Sequence, residues 1–133
     1  MPDRNPRKTW RLAFIPEAVR ADLKRRLEAH VAAHWKDRCR EVQVRFRGVF
    51  AYVDALPVRQ FFMPGLTPEQ RAQIEATPTH LCRLRYQGRP DSLGFAFYKY
   101  SDERYEDSFL PNGSFNGTPE ECFDCAASVY LNE

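Results

Sequence analysis

Long apolar runs are missing from this 133-residue chain. None approaches the ~18 residues that carry a helix across a bilayer, so no membrane partner is expected. The basic opening, Met1-Pro2-Asp3-Arg4-Asn5-Pro6-Arg7-Lys8, is followed by no apolar segment of signal-peptide length. Residues 1–8 read as a flexible basic tail on a cytoplasmic protein. Cysteine is scarce: Cys39, Cys82, Cys122 and Cys125 are too few and too scattered for a secreted disulfide framework, and free thiols are expected. Also missing are a glycine-rich phosphate loop, a nucleophile elbow, internal repeats and any linker that would divide the chain. A single domain over residues 1–133, without a cofactor, is the expectation.

What is present is unevenly charged. The net charge of +2 conceals thirteen Lys/Arg against six Asp/Glu in residues 1–47, and seven against twelve in residues 48–133. The basic part either meets an anionic partner or pairs with the acidic part of its own domain. Hydrophobic residues at 43% and charged residues at 29% describe a globular chain rather than a disordered one.

Periodicity supplies the elements. Trp10, Leu12 and Phe14 alternate with Arg11 and Ala13 as a short strand or extended lead-in, and Pro16 suits the first turn of a helix. Val19, Leu23, Leu27, Val31 and Trp35 then repeat every four residues, which predicts a long helix with one buried stripe. Val42, Val44 and Phe46 alternate with Gln43, Arg45 and Arg47, and β-type residues resume after Gly48, which is either a bulge or a hairpin bend. Leu81–Tyr86 and Leu93–Tyr100 read as two further strands around turn residues 87–92, with an extended piece over Tyr105–Leu110. Thr67-Pro68-Glu69-Gln70 and Thr118-Pro119-Glu120-Glu121 are capping boxes that start two shorter helices. On the last one, Cys122, Cys125, Ala126 and Val129 are expected to share the buried face. The fold expected is α+β: an antiparallel sheet of about three to five strands, covered on one face by the long N-terminal helix and the C-terminal helix.

Short motifs do not add up to a known chemistry. Cys122-Phe123-Asp124-Cys125 has redox spacing, but two glutamates precede it and oppose thiolate formation, so core cysteines are expected. His30 and His34 stand one helical turn apart, and His80 and Cys82 alternate on a strand. Neither pair is matched by a second set at ligand spacing, and no metal is expected. Asp91 with Lys99 matches part of a metal-dependent nuclease pattern, but Phe97 stands where the second carboxylate is needed.

The octapeptide Leu93-Gly94-Phe95-Ala96-Phe97-Tyr98-Lys99-Tyr100 resembles the central strand of RNA-recognition-motif domains. That resemblance implies Phe95 and Phe97 as base-stacking rings, with Arg45, Arg47, Arg83 and Arg85 meeting phosphates. It covers only those eight residues, and its first position is Leu93 rather than a basic residue. Over residues 40–131 the chain resembles an uncharacterised family of small bacterial α+β proteins. The residues concerned are Val44-Arg45-Phe46-Arg47-Gly48, Phe50-Ala51-Tyr52-Val53-Asp54-Ala55, Leu81-Cys82-Arg83-Leu84-Arg85-Tyr86, Gly94-Phe95-Ala96-Phe97-Tyr98 and Gly117-Thr118-Pro119-Glu120-Glu121. This second resemblance implies a compact fold and adds no mechanism.

Three functions remain open. The first is a non-enzymatic binding module in which Arg20, Lys24 and Arg25 of the basic helix and the four strand arginines contact an anionic partner such as nucleic acid. The second is a protein-interaction subunit docking through Phe61, Phe62 and Met63 or through a sheet edge. The third is a small enzyme in which Asp54, His80, Tyr98 and Glu106 converge.

Overall fold

The computed structural model describes residues 13–59 and 62–131. Its elements run in the order α1 (Glu17–His34), β1 (Cys39–Arg47), β2 (Phe50–Pro57), α2 (Pro68–Ala76), β3 (Thr79–Arg85), β4 (Leu93–Lys99), β5 (Arg104–Asp107), β6 (Asn116–Gly117) and α3 (Pro119–Tyr130). The α+β class holds, with three helices and an antiparallel sheet of five strands in sequential order plus the two-residue β6, which pairs with β4. No helix among the described residues is long and apolar enough to cross a membrane.

Gly48 is the bend of a hairpin. It adopts φ +59°, a region that suits glycine, and opens a two-residue turn between the paired Arg47 and Phe50. The β1–β2 register that follows sets Val44 opposite Val53 and Arg45 opposite Tyr52. Because side chains alternate across a strand, Ala51, Val53 and Ala55 fall on one side of β2, and Phe50, Tyr52 and Asp54 on the other.

On the first side, Val53, Leu84 and Phe95 share a buried cluster with Leu23, Leu27 and Val31 of α1 and with Phe123 and Ala126 of α3. Burying side chains of this size stabilises by roughly 1.5–3 kcal/mol each. The two helices are also bolted together: Arg26 donates to both oxygens of Glu120 at 2.8 and 2.9 Å and to Asp91 at 2.8 Å. Trp35 Nε1 donates to Asp124 Oδ1 at 2.8 Å, and His30 Nε2 lies 2.7 Å from the same oxygen. Part of the basic N-terminal charge is thus spent on the acidic C-terminal part.

Two local expectations are corrected. Phe14 is exposed and residues 13–16 form no strand; Ile15 is the buried residue, tied by its N–H to Gly48 O at 3.1 Å. Trp10 and Leu12 lie outside the described residues. On α3, Val129 is exposed and Cys125 only half-buried, whereas Cys122, Phe123, Ala126 and Ala127 face the core. Two stripes rotated by one position both satisfy a 3.6-residue period, and the one carrying the large Phe123 ring is the one buried.

Candidate functional site on the sheet

The other side of the strands carries the most unusual residue of the molecule. Among the described residues Asp54 is the one buried charged side chain, 2% exposed. It sits where the β2–β3 register shifts between Val53 and Asp54, so Leu81 is the extra residue and Asp54 faces His80. A bulge of this kind re-aims the side chains beside it. Here Leu81 and Cys82 are both buried, while His80 comes to the carboxylate side.

Both oxygens of Asp54 are used. Oδ1 lies 2.9 Å from His80 Nδ1, and Oδ2 accepts from Arg45 Nε at 3.2 Å. Buried carboxylates persist where donors satisfy both oxygens, and this one has a guanidinium on one and an imidazole on the other. Because a carboxylate accepts, the ring N–H of this hydrogen bond is the one on Nδ1. Nε2 has no protein partner among the described residues.

Rings surround this bridge. Tyr98 and Tyr100 pack against the His80 ring at 4.8 and 6.3 Å, and the His80 N–H donates to the Tyr100 hydroxyl at 2.7 Å. Tyr105 contacts both Tyr98 and Tyr52 at 4.9 and 5.2 Å. Burial, reinforced by the Asp54 charge, pushes the Tyr105 hydroxyl up to about 12 against the opposing pull of Arg45. Burial likewise raises Tyr100.

Two cross-strand rows continue from the bridge. Arg45, Tyr52 and Arg83 are mutually opposite across β1, β2 and β3, and so are Arg47, Phe50 and Arg85. Guanidinium groups lie over the rings: Arg83 over Phe50 at 4.4 Å and over Tyr105 at 5.7 Å, Arg45 over Tyr52 at 5.2 Å, Arg85 over Phe50 at 5.9 Å. Such stacking occupies the planar face of a guanidinium and leaves its N–H edge for acceptors. Arg83 also approaches Asp107 at 3.5 Å, whereas Arg47 and Arg85 are exposed.

The structure therefore brings the four strand arginines to one side, two of them partly committed to internal carboxylates. It does not bring the helix cations to them. Arg25 bonds Asp22, Arg20 lies over Phe46 at 5.9 Å, and Lys24 is exposed on α1.

The rings expected from the octapeptide are wrong. Phe95 is 2% exposed in the core cluster, and Phe97 packs against that cluster with Phe95 and Tyr130 as ring neighbours. Register explains the reversal: Phe95 pairs with Leu84 and Phe97 with Cys82, both of which point inward. Phe50, Tyr52 and Tyr105 are the rings on the arginine side; the signal in sequence for the first two is their alternation with the small, buried Ala51 and Val53.

Of the four polar residues proposed to converge, Asp54, His80 and Tyr98 do. Glu106 is instead paired with Lys99 at 3.3 Å and Arg104 at 3.8 Å. Phe61 lies outside the described residues. Phe62 sits beneath Arg71 at 4.5 Å and Met63 is exposed.

Burial opposes ionisation of all four thiols: it raises Cys39 to about 11 and Cys122 to about 12, and lifts Cys82 and Cys125 as well. His30 and His34 lie ring to ring at 4.8 Å, and no group of three or more metal-binding side chains converges among the described residues.

Concave surface lies elsewhere. A groove of about 550 Å³ runs between α1 and the β1 edge, lined by Val31, Lys36, Arg40 and Val42. Another of about 320 Å³ is lined by Leu110, Glu121, Asp124 and Cys125. Neither includes Asp54 or His80. No protein-family model, curated protein or solved structure matches the chain.

Proposed function

We propose that this is a cytoplasmic binding protein for single-stranded nucleic acid, using the sheet side that carries Arg45, Arg47, Phe50, Tyr52, Arg83 and Arg85. In this reading α1 and α3 shield the other side of the sheet and leave this one to solvent. The observation that carries it is the pair of cross-strand rows in which each ring is flanked by arginines on both neighbouring strands. Guanidinium edges meet phosphates, and the half-exposed Phe50 and Tyr52 rings offer stacking surfaces that tolerate any base. A duplex would hide its bases from such rings. A single strand is therefore the form that fits.

The helix cations Arg20, Lys24 and Arg25 contribute at most general attraction, because they belong to the other layer in this reading. The test is filter binding of single- and double-stranded RNA and DNA at two salt concentrations. Retention of single strands at low salt, falling steeply at higher salt and lost in the Arg47→Glu/Arg85→Glu double variant, is the expected result. No retention at low salt ends the reading.

A further inference from the structure

We infer that the sheet face also cleaves the RNA it binds, with His80 as the base that activates a 2′-hydroxyl and Arg45 as the cation that holds the neighbouring phosphate. This rests on the binding reading above and adds a reaction to it. The juxtaposition behind it is a single buried carboxylate that grips both groups: Asp54 Oδ1 holds His80 Nδ1 at 2.9 Å while Oδ2 holds Arg45 Nε at 3.2 Å. An imidazole and a guanidinium fixed on two oxygens of one carboxylate stand side by side. They are close enough to address one ribose–phosphate unit.

The orientation of each group matters. With Nδ1 bonded to the carboxylate, His80 presents Nε2 as a proton acceptor, the arrangement in which a buried aspartate orients a catalytic histidine. Arg45 spends Nε on Asp54, and its side chain remains 56% exposed. The Tyr105 hydroxyl also meets this guanidinium, and its remaining terminal N–H groups can reach a phosphate. Tyr98 and Tyr100 pack on the His80 ring and limit its rotation.

Among the described residues no protein nucleophile is bonded to His80, and that selects the substrate. Cys82, two residues from His80, is wholly buried on the core side with its thiol held protonated. The Tyr100 hydroxyl accepts the His80 N–H, and burial opposes its ionisation. No serine, threonine or cysteine side chain among the described residues is hydrogen-bonded to His80. RNA brings its own nucleophile, already adjacent to the phosphorus, so the proximity that a protein would otherwise have to create is intramolecular.

In the step itself, His80 Nε2 takes the proton of the 2′-hydroxyl as O2′ bonds to the adjacent phosphorus. The P–O5′ bond breaks, its electron pair leaves on O5′, and water protonates that oxygen. Arg45 meets the charge that gathers on the non-bridging oxygens. The products are a 2′,3′-cyclic phosphate and a 5′-hydroxyl. The imidazolium returns its proton to solvent.

The experiment follows a 5′-labelled single-stranded RNA and a DNA of the same sequence on the full chain, measuring retention on filters and strand cleavage in parallel. The expected result is that both strands bind and only RNA is cut, leaving cyclic phosphate ends. Base catalysis typically contributes 10²–10⁴-fold, so His80→Ala should slow cleavage at least 100-fold while affinity stays within about threefold.

Imidazole added to His80→Ala, with a protein-free control, should restore part of the rate, which a folding defect cannot do. His80→Gln supplies a second variant if the alanine variant does not fold. RNA retained but left intact overturns the inference and leaves the binding reading standing. Neither retention nor cleavage removes both. Cleavage undiminished in both His80 variants, or of DNA as well as RNA, also overturns it.

Discussion

Two clusters in this molecule are built from the same three residue types, arginine, acid and histidine, and they are inside out relative to one another. Between α1 and α3 the basic side chains are the more enclosed: Arg26 is 22% exposed and His30 14%, while the acid Asp124 reaches solvent at 51%. On the sheet the acid is enclosed, with Asp54 at 3%, while Arg45 is 56% and His80 36% exposed. A half-buried guanidinium held by acids at the rim is an internal fastener. A buried acid holding an exposed guanidinium presents positive charge outward in a fixed geometry, which is what a phosphate site requires. Position in the fold, rather than composition, separates the two roles.

The comparison breaks most directly at Asp54. Asp54→Ala removes two charge-assisted hydrogen bonds and leaves a void beneath the rings, so a loss of about 3 kcal/mol is expected in urea unfolding, together with the loss of nucleic-acid retention. If stability falls and retention does not, the carboxylate is only a fastener like its counterpart between the helices. Asp124→Ala is the sharpening control. It strands the Trp35 N–H and His30, for an expected cost of about 1–2 kcal/mol, with affinity for single strands unchanged. The reverse pattern belongs to Arg47→Ala and Arg85→Ala, both exposed. Unfolding should move by less than about 0.5 kcal/mol, while each substitution lowers affinity and flattens the salt dependence by roughly one counterion.

Much of this fold was legible because its signals are local. The four-residue stripe of α1, both capping boxes, the turn at residues 87–92 and the alternation of Val42, Val44 and Phe46 each depend on neighbours in sequence. What was illegible depends on rotation and register. Shifting a strand by one residue swaps its faces, so Phe95 and Phe97 looked as suitable for an open surface as Phe50 and Tyr52 until Leu84 and Cys82 were seen opposite them. The Asp54–His80–Arg45 bridge joins β2, β3 and β1 through a bulge, and no spacing rule in one strand announces a bulge formed with another. In sequence Asp54 and His80 stand out only as two of four polar residues that could converge. Arg45 was picked out for its charge, and nothing local linked the three.

The finest distinction between the clusters lies in their response to acid. Burial alone would raise the Glu120 carboxyl, but the Arg26 hydrogen bonds, a backbone hydrogen bond and the Arg26 charge outweigh it and hold the group below the ordinary glutamate range. The shift of Arg26 runs upward, as the same pairing requires. A carboxyl depressed in the folded state contributes stability that is fully present above its unfolded value of about 4.3 and disappears as pH falls through its lower folded value. Between pH 7 and pH 5 the unfolding free energies of the wild type and Glu120→Gln should therefore run parallel, separated by about 1 kcal/mol or less. Below about pH 4.3 the wild type should lose stability more steeply until the gap closes. Urea midpoints across that range measure it. A gap that persists at the acid end would mean that Glu120 acts through packing rather than charge, and the fastener between the helices would no longer be the electrostatic counterpart of the bridge on the sheet.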